Sequence, residues 1–345
     1  MIEVEHLSKV YGSTTAIEDV SFTVNQGEIL GLLGPNGAGK TTTMRILAGY
    51  LPASAGTAKV SGQEVHENPM AVRRCIGYLP ENPPLYLDME VVDYLNFVAR
   101  IKGVAPGDRR RCVDAALSQC GLAEQRRTII RKLSKGYRQR VGIAQAIVHE
   151  PAAIILDEPT VGLDPRQIIE VRKLIKSLAG DRTIILSSHI LPEVRMTCDR
   201  IAIIHRGRVA DIGSPHQLVT QLSKNLEYEL ELKGDPDIAQ AVLDQIPELQ
   251  QVERLEAPLF PAHHIRFKVT ALPDQDPAPK MASLLLAANL DLFELRRMQA
   301  SLEEVFLKLT MNEGMGSDSP AETALPTAPI ANAPSPSPLS ETSEL

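Results

Sequence analysis

The sequence predicts an α/β fold built around a phosphate-binding loop, followed by a smaller α+β unit. Three observations carry this prediction. The apolar run Ile29–Leu33 leads into a glycine-rich loop, and further apolar strand-like runs recur at 153–157, 183–187 and 201–205. Residues 226–310 then alternate strands and helices in the order βαββαβ, which is typical of a ferredoxin-like unit.

Composition agrees with a globular chain that has one main domain and an appendage. The chain has 345 residues, of which 43% are hydrophobic, enough for a packed core. A formal net charge of −7 argues against general affinity for nucleic acid or for an anionic membrane. The four cysteines form no C-x-x-C pair and indicate reduced thiols, and no segment approaches the ~18 continuous apolar residues of a membrane helix.

The first strands form a small layer ahead of the loop. Ile2–Leu7 and Val20–Val24 alternate with turns, as expected of antiparallel strands beside a nucleotide-binding core.

The loop itself, Gly34–Thr41, fits the pattern G-x-x-x-x-G-K-[ST] between the strand and a helix predicted over Thr42–Ala48. Glycines let backbone N–H groups point at phosphates, and the helix N-terminus adds a positive dipole end. Lys40 is predicted to contact the β- and γ-phosphates and the Thr41 hydroxyl to ligate Mg²⁺.

The segment between Glu81 and Leu133 changes to a helical period, with helices predicted over Val91–Lys102 and Arg109–Cys120. Ser134 then serves as a good N-cap for another periodic helix, whose free N–H groups are available to an anion.

Two carboxylates follow the apolar strand at 153–157. Asp157 lies at the end of a predicted parallel strand, where it is placed to hold Mg²⁺ directly or through water. Glu158 points differently and is predicted to take a proton from an attacking water, a role worth about 10²- to 10⁴-fold in rate.

Together these motifs resemble the nucleotide-binding subunit of an ABC transporter, over residues 1 to about 220. The resemblance implies a P-loop NTPase cassette with a RecA-like core, an antiparallel β subdomain and a helical subdomain at about 82–140. It also implies that two cassettes, identical or homologous, pair head to tail around two ATP molecules with Mg²⁺. The nucleotide-binding residues that it implies are Tyr11, Gly34, Pro35, Asn36, Gly37, Ala38, Gly39, Lys40, Thr41, Thr42, Ser134, Gly136 and Asp164.

Within this set, Tyr11 matches the family's adenine-stacking aromatic residue. Leu133–Arg140 resembles the signature Leu-Ser-Gly-Gly-Gln, which implies that Ser134 and Gly136 meet the γ-phosphate bound to the opposite subunit. Lys135 replaces the third signature residue; it either brings an extra charge towards the phosphates or is simply solvated.

Three further positions fall in family order. Glu81 stands where most cassettes have the glutamine that links Mg²⁺ and the attacking water to the membrane partner, and a carboxylate there still ligates a metal but repels the γ-phosphate. Asp164 corresponds to the loop that crosses to the other subunit. His189 matches the histidine that contacts the γ-phosphate. The resemblance thus assigns catalysis to Glu158, His189 and Glu81, and Mg²⁺ to Thr41, Asp157 and Glu81.

The predicted domains are a cassette at 1–222, an accessory α+β domain at 223–310 and a disordered tail rich in proline, alanine and serine at 311–345. The helix predicted over 301–310 resembles the closing helix of ATPase subunits from ABC-2 type exporters. His263 and His264 are read as a surface pair.

The leading hypothesis is an ATP-hydrolysing subunit of an ABC-2 type exporter, peripheral on the cytoplasmic face of the membrane and driving a separate polytopic permease. The alternative is a soluble ABC ATPase of translation or DNA repair, which tandem cassettes or a coiled-coil insertion would favour. The segment Asn82–Glu90 is predicted to couple hydrolysis to transport, with Tyr86 on a permease surface; Leu85 and Leu87 either join it or pack on their own subunit.

Overall fold

The computed structural model describes residues 1–222, 226–255, 264–272, 276–298 and 302–311. Of the tail predicted at 311–345, Met311 ends a helix instead, and residues 312–345 lie outside these ranges, so their disorder stays a prediction.

Three sheets organise the described chain. The strands are β1 (Ile2–Tyr11), β2 (Thr14–Val24), β3 (Ile29–Leu33), β4 (Ala55–Val60), β5 (Gln63–Glu64), β6 (Ile76–Leu79), β7 (Ala153–Leu156), β8 (Thr183–Ser188), β9 (Arg200–His205), β10 (Arg208–Gly213), β11 (Leu226–Lys233), β12 (Leu249–Leu255), β13 (His264–Ala271) and β14 (Asp291–Met298).

The helices predicted over Thr42–Ala48, Val91–Lys102 and Arg109–Cys120 and after Ser134 are all present, and four others were not predicted: Pro69–Cys75, Pro165–Leu178, Leu191–Thr197 and Pro215–Leu222. In chain order, the helices are α1 (Lys40–Leu47), α2 (Pro69–Cys75), α3 (Val91–Ile101), α4 (Arg109–Gln119), α5 (Lys135–Ile147), α6 (Pro165–Leu178), α7 (Leu191–Thr197), α8 (Pro215–Leu222), α9 (Pro236–Asp244), α10 (Ala278–Ala287) and α11 (Leu302–Met311), with a 3-10 turn at Ile130–Lys132.

The central sheet has six strands in the order β10-β9-β3-β8-β7-β6, parallel except where β10 runs antiparallel to β9. Strands β3, β7 and β8 are buried along their whole length, which is why they read as continuous apolar runs. This sheet brings the C-terminal ends of β3, β7 and β8 to one edge, and the site is built there.

The predicted antiparallel layer is confirmed and larger than the sequence indicated. Strands β2, β1, β4 and β5 form a four-stranded antiparallel sheet. Its inner face packs with β3 and α1 in one hydrophobic cluster that includes Leu7, Val20, Leu32 and Met44, all fully buried. This packing fixes the phosphate loop against the sheet behind it.

The appended unit has the predicted βαββαβ order. Its antiparallel strands lie in the order β12-β13-β11-β14, as in a ferredoxin-like sheet, and its own core includes the buried residues Tyr228, Phe267 and Leu285. The last helix, α11, does not join that core. Its Leu302 is 1% exposed and belongs to the same cluster as Leu218 of α8, and Phe306 packs there too. By packing, α11 therefore goes with the cassette.

Candidate nucleotide site

The loop Gly34–Gly39 connects β3 to α1 and forms a tight cradle. A Cβ at Gly34 would lie 2.2 Å from the Ile204 carbonyl oxygen, and one at Gly39 would lie 2.5 Å from Ile17 Cγ2. Gly39 also has φ +107°, a backbone conformation that side-chain-bearing residues rarely adopt. Glycine is required at both positions because the backbone packs directly against neighbouring strands.

Lys40 is the first residue of α1, and it is only 6% exposed. Its Nζ donates hydrogen bonds to the Gly34 carbonyl at 2.7 Å and the Pro35 carbonyl at 3.1 Å. The same Nζ lies 3.5 Å from Glu158 Oε1. The ammonium group is therefore held inside the cradle, facing the space that phosphates would fill.

Asp157 follows β7 and is 1% exposed. Its Oδ1 accepts hydrogen bonds from Thr41 Oγ1 at 3.1 Å and from Ser187 Oγ at 2.7 Å. Its Oδ2 is buried and has no hydrogen-bond partner among the described residues. An unpaired buried carboxylate oxygen is costly, and a hard cation beside Thr41 would satisfy it. The residues present thus fit Mg²⁺.

Glu158 is 7% exposed and is held by three groups. Its backbone N–H donates to Ser187 Oγ at 2.8 Å, its Oε1 faces Lys40, and its Oε2 lies 3.0 Å from His189 Nδ1. Its φ of +48° is left-handed, a conformation that costs about 1–3 kcal/mol for a residue other than glycine. The two carboxylates have different surroundings, because that of Asp157 contacts two hydroxyls whereas that of Glu158 contacts Lys40 and His189.

These groups open into one cavity of about 460 Å³. It is lined by Ala16, Asn36, Gly37, Ala38, Gly39, Lys40, Thr41, Thr42, Glu81, Glu158, Val161 and His189. Ten of these twelve residues were predicted from the sequence; Ala16 and Val161 were not. Motif spacing gave no signal for those two, because Ala16 comes from β2 of the antiparallel layer and Val161 from the turn after Glu158.

A second cluster lies apart from this cavity, at the N-termini of α5 and α6. The Ser134 hydroxyl accepts from the Tyr137 N–H at 3.3 Å and caps α5, as predicted. The Asp164 carboxylate caps α6 by accepting from the N–H groups of residues 166 and 167 at 3.0 Å. A Cβ at Gly136 would lie 2.7 Å from Gln167 Oε1, so the two helix ends are in close contact. Ser134, Gly136 and Asp164 do not line the cavity.

We compared the sequence and the fold with those of known proteins. A family model described as ABC transporter matches residues 17–161. The bacitracin transport ATP-binding protein BcrA of Bacillus licheniformis is 33% identical over 90% of this chain and 97% of its own length. The chain belongs to the ABC transporter family. Linearmycin resistance ATP-binding protein LnrL of Bacillus subtilis is 31% identical over 90% of this chain and 98% of its own.

A solved ATP-binding subunit of an ABC transporter superposes with a TM-score of 0.59 at 32% identity, covering 65% of this chain and 93% of that structure. This ABC protein is accordingly an ATP-binding and ATP-hydrolysing subunit, and the soluble alternative is not favoured. Among the described residues, no helix has the length and apolar character needed to cross a bilayer.

Tyr11 lies at the end of β1, paired with Thr14, and is 46% exposed. Lys9 Nζ lies 5.2 Å from the centre of its ring. Tyr11 does not line the cavity of this ABC subunit, so its role in stacking adenine stays a prediction.

Glu81, after β6, lines the cavity and is solvent-exposed, and its role as a metal ligand and relay stays a prediction. Tyr78, on β6 itself, lies near the acidic edge of the site. Burial, and then the charge of Asp157, raise the pKa of Tyr78 to about 12, so its phenol stays neutral.

Proposed function

We propose that this subunit hydrolyses ATP in a head-to-tail dimer and thereby drives a separate ABC-2 type membrane permease in export. The observation that carries the catalytic part is the convergence of Lys40, Glu158 and His189 on one cavity, beside an Asp157 oxygen that has no partner.

Nucleotide binding begins with Lys40. Its Nζ donates hydrogen bonds to two loop carbonyls and lies near the Glu158 carboxylate. Phosphate oxygens are stronger partners for an ammonium than neutral carbonyls are, so the β- and γ-phosphates draw Nζ towards themselves. Loop N–H groups and the N-terminus of α1 complete the cradle.

Mg²⁺, held by Thr41 and Asp157 with Glu81 as a third candidate ligand, would neutralise phosphate charge when bound. Ser187 orients Asp157 by donating to its Oδ1 while accepting from the Glu158 N–H. One serine thereby fixes the relative positions of both carboxylates.

Proton transfer is assigned to Glu158. Its carboxylate lines the cavity between Lys40 and His189, on the path of a water that attacks the γ-phosphate. Its Oε2 remains within hydrogen-bond distance of His189, which holds the side chain at the cavity wall near the γ-phosphate position. Glu158 then takes the proton of the attacking water, as general-base catalysis requires.

A single subunit leaves this site incomplete. The capped end of α5, with Ser134 and Gly136, offers free N–H groups but does not line the cavity of its own subunit. A second cassette turned head to tail would place that helix end on the γ-phosphate. Two identical or homologous cassettes then enclose two ATP molecules.

Coupling to the permease is assigned to the segment 82–90. It borders an open groove of about 470 Å³ lined by Tyr86, Leu87, Asp88, Met89 and Phe97. Tyr86 is 54% exposed and Leu87 49%, while Leu85 packs against the cassette core. The apolar surface around Tyr86 therefore fits a membrane partner, and Leu85 fits the alternative of packing on its own subunit. A subunit docked in this way would lie on the cytoplasmic face of the membrane.

Exchange of Glu158 for glutamine tests the proposed chemistry. Glu158→Gln keeps the shape and the P-loop but removes the base, so ATP affinity should persist while turnover falls by about 10²- to 10⁴-fold. The variant should also accumulate an ATP-bound dimer, visible by size-exclusion chromatography with light scattering. Glu124→Gln, an exposed site away from the cavity, is the matched control. Hydrolysis by Glu158→Gln close to that of wild type would overturn the assignment.

A further inference from the structure

Glu193, in the first turn of α7, joins two loops through one carboxylate oxygen. Its Oε2 accepts a hydrogen bond from Thr160 Oγ1 at 2.5 Å and another from Ser188 Oγ at 3.3 Å. Thr160 is 7% exposed and Ser188 1%. A carboxylate oxygen has lone pairs for both hydroxyls, so this single atom connects segments that are distant in sequence.

The first loop, 158–164, carries Glu158 at one end and Asp164 at the other. Thr160 lies between them, and its carbonyl accepts the Leu163 N–H at 3.2 Å, while the Glu158 carbonyl accepts the Val161 N–H at 3.2 Å. The loop is thus a pair of tight turns, and fixing the Thr160 side chain fixes the path from Glu158 to Asp164.

The second loop carries His189. Ser188, the residue before it, accepts the Ile190 N–H at 3.0 Å while donating to Glu193. The Ser188 hydroxyl therefore sets the turn that presents His189 to Glu158, at 3.0 Å between Nδ1 and Oε2. Displacing Glu193 would release this turn and the Thr160 turn together.

Glu193 itself does not face the nucleotide cavity. It lines a separate, small space with Pro159, Thr160, Arg172 and Ser188. Both hydroxyls donate to the same carboxylate oxygen, so the bridge ties the two loops to a single atom. Glu193 can therefore influence ATP hydrolysis only by positioning the two loops that it joins.

We propose that Glu193 is a positioning residue that holds the Asp164 loop and His189 as one unit. Contact of Asp164 with the partner subunit is then passed through Thr160, Glu193 and Ser188 to the histidine facing the γ-phosphate. This inference rests on the proposed composite site and adds the connection within each subunit that links dimer contact to catalysis.

The test uses the full chain with Glu193→Ala, Thr160→Val and Glu193→Gln, and with Arg195→Ala on the exposed side of the same helix as control. Steady-state ATPase is measured over a range of ATP concentrations, with ATP affinity and melting temperature measured on the same samples. Glu193→Ala and Thr160→Val should each lower kcat about tenfold or more with KM within about twofold, because misplacing a catalytic group by 1 Å can cost ~10²-fold. Glu193→Gln should recover most of kcat, since its amide oxygen accepts both hydroxyls.

A double variant separates a positioning role from simple packing. Glu193→Ala combined with Thr160→Val should be no slower than the worse single variant, because both break one bridge. A wild-type kcat in Thr160→Val would overturn the inference. So would losses of kcat that parallel losses of melting temperature and ATP affinity in all variants, including Glu193→Gln. A wild-type chain that neither turns over ATP nor dimerises would instead overturn the proposed function.

Discussion

The cluster around Lys40 and the cluster around Ser134, at the N-termini of α5 and α6, differ in whether they line a cavity of their own subunit. Around Lys40, the ammonium group contacts Glu158, Glu158 contacts His189, and the three side chains line one cavity. Around Ser134, the polar groups cap their own helices and face no such cavity. We therefore expect the first cluster to hold a nucleotide by itself and the second to need an anion supplied by another subunit.

This difference predicts which functions one chain performs and which need two chains. Affinity for ATP should depend on Lys40 and its loop, because the buried ammonium group and the loop residues 36–39 line the cavity. Turnover should depend on both clusters, because in the proposed dimer the N–H groups of α5 reach the γ-phosphate bound to the other copy. Variants in the two clusters should therefore fail in different ways.

Variants of the two clusters are expected to differ most in the affinity of the isolated subunit for ATP. Lys40→Ala removes a buried charge that makes charge-assisted contacts worth about 1.5–3 kcal/mol each, so affinity should fall by roughly 10- to 100-fold. Ser134→Arg should leave that affinity within about twofold, since Ser134 does not line the cavity. Titration with a fluorescent ATP analogue measures both. Equal losses in the two variants would mean that the clusters are not separate.

A smaller effect is expected from the surface that faces neither cluster. Tyr86→Ala should leave the isolated subunit's ATPase largely intact and reduce permease co-purification or stimulation, because its exposed ring borders an open groove. Tyr86 also touches the Phe97 ring edge-on at 5.3 Å between centroids, so melting temperature must be measured as well. Phe293→Ala, another exposed aromatic residue, is the control. If Tyr86→Ala unfolds the subunit but leaves the permease's stimulation of ATPase activity per folded molecule unchanged, the coupling surface lies elsewhere.

The cluster around Lys40 was predictable because each of its motifs is a short, continuous stretch of sequence. The loop at Gly34–Thr41 and the strand ending at Asp157 each carry their residue types in fixed spacing, and the sheet brings them together. Ala16 was missed because it reaches the cavity from a different sheet. The link from Glu193 to Thr160 spans 33 residues and depends on two hydroxyls whose rotamers no sequence pattern indicates.

In the appended unit, too, the sequence predicts the elements but not which of them pack together. The order of its strands and helices follows from alternation and period, and the sheet agrees. The helix at 302–311 also has the predicted period, yet Leu302 packs beside Leu218 of α8. An amphipathic pattern shows that a face will be buried but does not say against which core.

The smallest effect is expected from the segment beyond Met311. Removing residues 312–345 should leave melting temperature and ATP affinity unchanged, because the segment is rich in proline, alanine and serine and lacks apolar periodicity. Differential scanning fluorimetry with and without ATP measures both quantities. A large loss of either would show that the segment docks on one of the two clusters or on the core between them.

Mixing two inactive variants tests the composite site most directly. Lys40→Ala subunits lack the cradle and Ser134→Arg subunits lack the signature end, so each homodimer has two damaged sites. A heterodimer has one site in which an intact cradle meets an intact signature end. ATPase activity measured against mixing ratio should therefore rise from near zero to a maximum at equal amounts. A flat, inactive profile with heterodimers confirmed by native mass spectrometry would contradict sharing of the site between subunits.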